Sequence, residues 1–242
     1  MINAFSPWWF VFLAVIVAGA IACRFLFKTD KARKQFLIGT GVFLCLYLVV
    51  YKVFLLNDPT YETNIWNELP LNLCNLAPVI IAIAVATDNR ALKAYGFLNC
   101  FIGAIVAVVF PDPDFENAIL LSAKGIGFWG YHFLVVFVCL ALVILGQYRP
   151  RFRDILITVP LFFASACVAH GVNVLLRETG LYGEANYFFT YGLAGNALAD
   201  LIYNILPKPL AWEILMLPLC AIAEAVIVAC TLPFRNRSKL SV

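Results

Sequence analysis

Long apolar runs alternate with short charged connectors over almost the whole chain. The runs fall at about Trp8 to Phe27, Phe36 to Leu56, Leu69 to Thr87, Ala91 to Phe110, Gly127 to Gly146, Ile155 to Leu176 and Trp212 to Leu232. At a helical rise of about 1.5 Å per residue, each is long enough to cross a hydrocarbon core of about 30 Å. The pattern predicts an all-α, polytopic membrane helix bundle of about seven transmembrane helices, built as a single integral membrane domain over residues 1–242.

The connectors give the bundle a direction. Lys28, Lys31, Arg33 and Lys34 follow the first run, Arg90 and Lys93 the third, Arg149, Arg151 and Arg153 the fifth, and Arg235, Arg237 and Lys239 the last. Asp58, Glu62 and Glu68 follow the second run, and Asp112, Asp114 and Glu116 the fourth. Basic connectors stay on the cytoplasmic side, which predicts an outside amino terminus, a cytoplasmic carboxyl terminus and a multi-pass protein of the cell membrane. The one long connector, Gly180 to Pro209, carries Asn196, Asp200 and Asn204 at helical spacing and is expected to hold a short amphipathic outer helix.

Composition narrows the class. Of 242 residues, 63% are hydrophobic and 13% charged, and the mean hydropathy is +0.90. A soluble domain carries about a quarter charged residues, so a water-soluble fold is excluded. The opening MINAFSPWWF has no basic region ahead of its apolar run, so a removable signal peptide is not expected. The net charge of +3 reads as topology and anionic headgroup contact, with no nucleic-acid partner. The 8 cysteines lie almost all in apolar stretches without a CxxC pair, so neither a metal site nor a disulfide framework is expected. No Gly-rich phosphate loop, HExxH or GxSxG elbow occurs, and no cofactor is implied.

Polar side chains inside a bilayer are costly and default to the bundle interior. Asn72, Cys74 and Asn75 fall in the first turns of the third run, His132 at similar depth in the fifth, and His170 and Asn173 on one face of the sixth. With Glu68 above them, these residues predict one polar site near the outer leaflet. Pro78 removes the backbone donor that would have bonded the Cys74 carbonyl. Cys74 beside a histidine makes a thiolate able to attack an ester carbonyl, with the imidazole returning the proton to the leaving alcohol. Asn72 or Asn75 can donate to the oxyanion. The plainer alternatives are a space-filling Cys74 at a packing kink, and a His132 bonded to a neighbouring helix, with Gly125, Gly127 and Gly130 serving either close packing or substrate room. Glu224, at the other end, reads as a paired or protonated buried acid or a proton relay, with Asn99 its candidate partner. Tyr182, Tyr187, Tyr191, Trp8, Trp9, Trp66 and Trp212 read as interfacial anchors.

The stretches Leu69-Pro70-Leu71-Asn72-Leu73-Cys74, Trp129-Gly130-Tyr131-His132, Asn173, and Asn186-Tyr187 followed by Pro209 and Trp212 resemble the YwaF-type bacterial integral membrane proteins, related to the animal lipid acyltransferases of the transmembrane protein 164 group. The resemblance covers most of the chain from about Phe36 onward. It implies a cysteine and histidine pair that moves a fatty acyl chain from one phospholipid to another through a thioester, with membrane phospholipids as the partners. It places His132 as the histidine; with it, the reading of the polar residues takes Cys74 as the nucleophile and Asn72, Asn75, Glu68, His170, Asn173 and Asn186 as substrate-binding groups. Asn72 stands where many bacterial members have a histidine, and Leu71, three residues before Cys74 on the same helix face, is the other position at which the family's cysteine falls. Three functions follow from these readings: lipid acyl transfer or lipid ester hydrolysis, binding or transport of a small molecule without catalysis, and a purely structural role.

Overall fold

A computed structural model describes residues 1–61, 63–192 and 197–237. Among these residues eight α-helices follow in order: α1 (Pro7–Leu26), α2 (Asp30–Leu56), α3 (Leu73–Ala86), α4 (Arg90–Val109), α5 (Tyr131–Ile144), α6 (Ile155–Glu178), α7 (Ala197–Ile205) and α8 (Glu213–Arg237). Their starts follow local chemistry. Ser6 caps α1 through the Trp9 amide with Pro7 at the first helical position, Thr29 caps α2 through Ala32, and Asn89 caps α4 through Leu92; each cap gives an orphan first-turn donor an acceptor.

Among the described residues six helices are long and apolar enough to cross a membrane, and α3 is a shorter apolar helix. The expected third span thus begins at Leu73 and runs 14 residues, with the preceding segment held at Glu68 by Lys52 and at Asn72 by the Phe188 amide. α5 is preceded by a π-helical segment, Ala123–Gly130, capped by Ser122, and this segment and α5 together form one span. The long connector holds a short helix, α7, with Asp200 in its first turn; Asn196 lies outside the described residues, as do Glu62 and Lys239.

α5 is the axis of the bundle. It packs on α1, α2 and α4, while α3 lies between α2 and α4, and α6 and α8 pack on each other and on α4. Trp9 ties α1 to α4 by donating from Nε1 to the Val108 carbonyl at 2.8 Å, and Phe12 stacks on Phe133 of α5. Outward faces are apolar: Val15, Phe43, Leu46, Val50, Leu156, Val168 and Ile222 are all exposed. Such a jacket is untenable in water and is solvated by acyl chains.

The two ends of the bundle differ in charge, as the connectors predict. At the acidic end Lys124 donates to the Thr60 carbonyl at 3.0 Å and Trp129 to the Phe115 carbonyl at 2.9 Å. At the basic end Gln147 reaches Asp30, and Arg90 forks onto buried Asp154 through Nε at 3.1 Å and Nη2 at 2.8 Å. Asp154 also accepts from the Tyr148 hydroxyl at 2.7 Å and the Arg151 amide at 2.9 Å. Burial and this carboxylate hold the Tyr148 phenol well above its ordinary range. Asp154→Ala strips four donors of their acceptor, so it is expected to cost about 2 kcal/mol, discounted because Arg90 is 41% exposed. A clear fall in the melting temperature of the detergent-purified protein checks this.

Candidate functional site

Cys74 is the second residue of α3, where backbone N–H groups have no intrahelical acceptor and the helix dipole is positive. The Asn75 N–H donates to the Asn72 carbonyl at 2.9 Å, which leaves the amides of Leu73 and Cys74 without an acceptor in the helix. His132, in the first turn of α5, brings Nε2 to 3.2 Å from Cys74 Sγ. Its other nitrogen, Nδ1, lies 2.7 Å from the Phe128 carbonyl in the π-helical segment. A carbonyl only accepts, so Nδ1 carries the proton and Nε2 presents a lone pair to the thiol. The ring is also held by the Phe128 and Tyr131 side chains, at centroid distances of 4.4 and 5.5 Å. His132 is buried and Cys74 is half-buried.

Pro78 has the consequence expected of it. The Cys74 carbonyl, left without its helical donor, accepts from the Tyr131 hydroxyl at 3.2 Å. Tyr131 therefore fixes the backbone of Cys74 while its chain neighbour His132 addresses the sulfur. The glycines before His132 serve packing: a Cβ on Gly127 would stand 2.5 Å from the Tyr51 ring, and one on Gly130 would stand 2.9 Å from the Tyr47 hydroxyl.

Around this pair the expected site residues divide. Asn75 is buried beside the thiol, its Oδ1 3.8 Å from Cys74 Sγ. Glu68 pairs with Lys52 of α2 and accepts from the Tyr61 hydroxyl at 3.0 Å and from Thr63 at 3.0 Å, anchoring the segment that leads into α3. Burial, followed by the Glu68 carboxylate, pushes the Tyr61 phenol far up. Lys52 is the cation whose field reaches both Cys74 and His132.

Asn72, Asn173, His170 and Asn186 converge on the turn at Tyr187–Phe189. Asn173, fully buried, donates to the Tyr187 carbonyl at 2.9 Å and accepts from the Tyr187 amide at 2.8 Å; Asn72 accepts from the Phe188 amide at 3.0 Å. His170 meets Thr190 at 3.0 Å, and Asn186 bonds Gly192 and Tyr191. Phe188 and Phe189 hold φ of 56° and 55°, a left-handed conformation that bulky residues adopt only when their surroundings impose it. Asn72 is the link, since it is both the residue before α3 and an acceptor for this turn.

Glu224 sits away from the pair, fully buried, accepting from the Thr158 hydroxyl with Cys220 Sγ at 3.6 Å. Asn99 joins it indirectly, donating to the Thr158 carbonyl at 3.2 Å and accepting from Cys220 at 3.6 Å.

Three contributors are not among the residues singled out in the sequence: Tyr131, the Phe128 carbonyl and Lys52. Lys52 carried a legible signal, a lone cation inside an apolar run. Tyr131 sat in the Trp-Gly-Tyr-His stretch, but its partner is 57 residues away.

With this geometry established, comparison with known families decides the chain's kinship. The model of the TMEM164 family matches residues 4–223. The chain belongs to the TMEM164 family. The match takes in Cys74, His132 and the whole turn around Tyr187. No curated protein and no solved structure matches the chain.

Tyr131→Phe deletes the donor to the Cys74 carbonyl and leaves a buried acceptor unmet, a loss of about 1 to 3 kcal/mol. Thermal unfolding in detergent should show the fall.

Proposed function

We propose that this TMEM164 family membrane protein carries out lipid acyl transfer, or lipid ester hydrolysis, with Cys74 as nucleophile and His132 as general base and acid. The observation that carries the reading is the ordered relay from the Phe128 carbonyl through His132 to Cys74 Sγ, 2.7 Å and 3.2 Å. A merely packed histidine needs one partner; this one has a fixed tautomer and aims its lone pair at a thiol.

In the first step His132 Nε2 takes the thiol proton as Sγ bonds to the ester carbonyl carbon of a phospholipid. The oxyanion is met by the first-turn amides of Leu73 and Cys74, which have no acceptor in the helix, and by the Nδ2 donor of Asn75. The carbon to alkoxy-oxygen bond then breaks, His132 returns the proton to that oxygen, and a lysophospholipid leaves an acyl thioester on Cys74. In the second step His132 deprotonates an acceptor hydroxyl, which attacks the thioester carbonyl; the carbon–sulfur bond breaks and the thiol is restored. Water in place of the lipid alcohol gives hydrolysis.

Glu68, Lys52 and Asn72 act by holding the entry to α3, and His170, Asn173 and Asn186 by shaping the turn beside it. By the positive-inside rule the basic end faces the cytoplasm of a cell membrane and the pair lies toward the outer leaflet, within reach of headgroups and ester bonds.

Purified protein reconstituted with a phospholipid labelled in one acyl chain and an unlabelled lysophospholipid tests the reading. Label should move to the lysophospholipid or appear as free fatty acid, and Cys74→Ala and His132→Ala should each lower that rate by at least about a hundredfold without a matching loss of thermal stability. Undiminished turnover in both variants would overturn it.

A further inference from the structure

At the basic end of the bundle an open cleft of about 300 Å³ lies between the α3–α4 turn and the connector after α5. Four of its lining residues are cations, Arg90, Lys93, Arg149 and Arg151, against the single carboxylate Asp88. Neither ion pair at the cleft neutralises it. Arg90 is turned onto Asp154 through Nε and Nη2, leaving the Nη1 donors unspent. The Lys93 side chain is 7% exposed but its partner Asp88 is 69% exposed, so a buried ammonium is matched by a carboxylate largely screened by water. The pairing holds the Asp88 carboxyl below its ordinary range. Arg149 and Arg151 are exposed and have no carboxylate partner among the described residues. The amino-terminal amides of α4 open at the same place, with Asn89 engaged in the Leu92 cap.

We propose that this cleft binds a phosphate-bearing anion, either the phosphodiester of an anionic phospholipid in the adjoining leaflet or free phosphate. Lys93 and Arg90 form its fixed floor and Arg149 and Arg151 close over the ligand. Arginine forks suit phosphate oxygens, and a basic recess between spans at the headgroup level is built to hold one anionic headgroup. The site involves none of the residues around Cys74, so it stands whether or not acyl transfer does.

Native mass spectrometry of the full chain in mixed micelles of phosphatidylglycerol and phosphatidylcholine tests it, with inorganic phosphate as a second probe in thermal unfolding. Wild type should retain phosphatidylglycerol over phosphatidylcholine, and R149Q/R151Q should retain roughly tenfold less at an unchanged melting temperature. D88N should retain more than wild type, since it frees Lys93, and asparagine tolerates the φ of 53° at this turn. If inorganic phosphate instead raises the melting temperature of wild type but not of R149Q/R151Q, the site takes the soluble anion. Equal phosphatidylglycerol retention by wild type, R149Q/R151Q and D88N, with phosphate shifting none of them, would overturn the proposal.

Discussion

Within hydrocarbon no water is at hand to satisfy a polar group, so each must find its partner in the protein, at a cost of several kcal/mol if it fails. The arrangement around Cys74 follows from that constraint. Pro78 frees one carbonyl, and Tyr131 crosses from α5 to meet it. Lys52 enters the apolar part of α2, and Glu68 turns inward to pair with it, taking Tyr61 and Thr63 along. Glu224 is met by Thr158. The bonds of Tyr131 and Glu224 tie together elements far apart in the chain and that of Glu68 fixes the approach to α3, so the polar groups of this bundle set its register while the apolar surface facing lipid does not.

The same constraint makes the histidine and thiol pair specific. In water an imidazole exchanges tautomers freely; here the Phe128 carbonyl accepts a hydrogen bond from Nδ1–H and keeps the proton on that nitrogen, and the π-helical turn before α5 presents that carbonyl. Sγ stands where α3 begins, so the thiol and the unspent amides of Leu73 and Cys74 share one helix end. The strained turn at Phe188 and Phe189 is held by Asn72 and Asn173, which connects the α6 side of the bundle to the start of α3. Non-glycine residues in this conformation cost about 1 to 3 kcal/mol each, a sum that half-buried Asn72 and fully buried Asn173, with several hydrogen bonds between them and the turn, are suited to offset.

Most spans were legible because apolar runs bounded by charge fix them, and Trp8 to Phe27 and Ala91 to Phe110 agree with α1 and α4 to within a residue at each end. The start of the third helix was not. Leu69 to Asn72 read as its first turn, but Asn72 spends its side chain on Phe188, 116 residues away, and the helix begins after it. The π-helical turn left no mark beyond its glycines, since its geometry answers to Tyr47 and Tyr51 on another helix. Depth alone brought Cys74 and His132 together on paper. It also placed His170 and Asn173 beside them, whereas their bonds go to the 187–190 turn, because a helical face fixes direction and not the loop that fills the space opposite.

The most direct measurement is mass spectrometry of the Cys74 peptide after the purified protein has been incubated with phospholipid and no acceptor. A hydroxylamine-sensitive fatty acyl mass on Cys74, absent when His132 is replaced by alanine, is the predicted result. Lipid turnover with no adduct on Cys74, or acylation spread evenly over the other cysteines, would contradict the account.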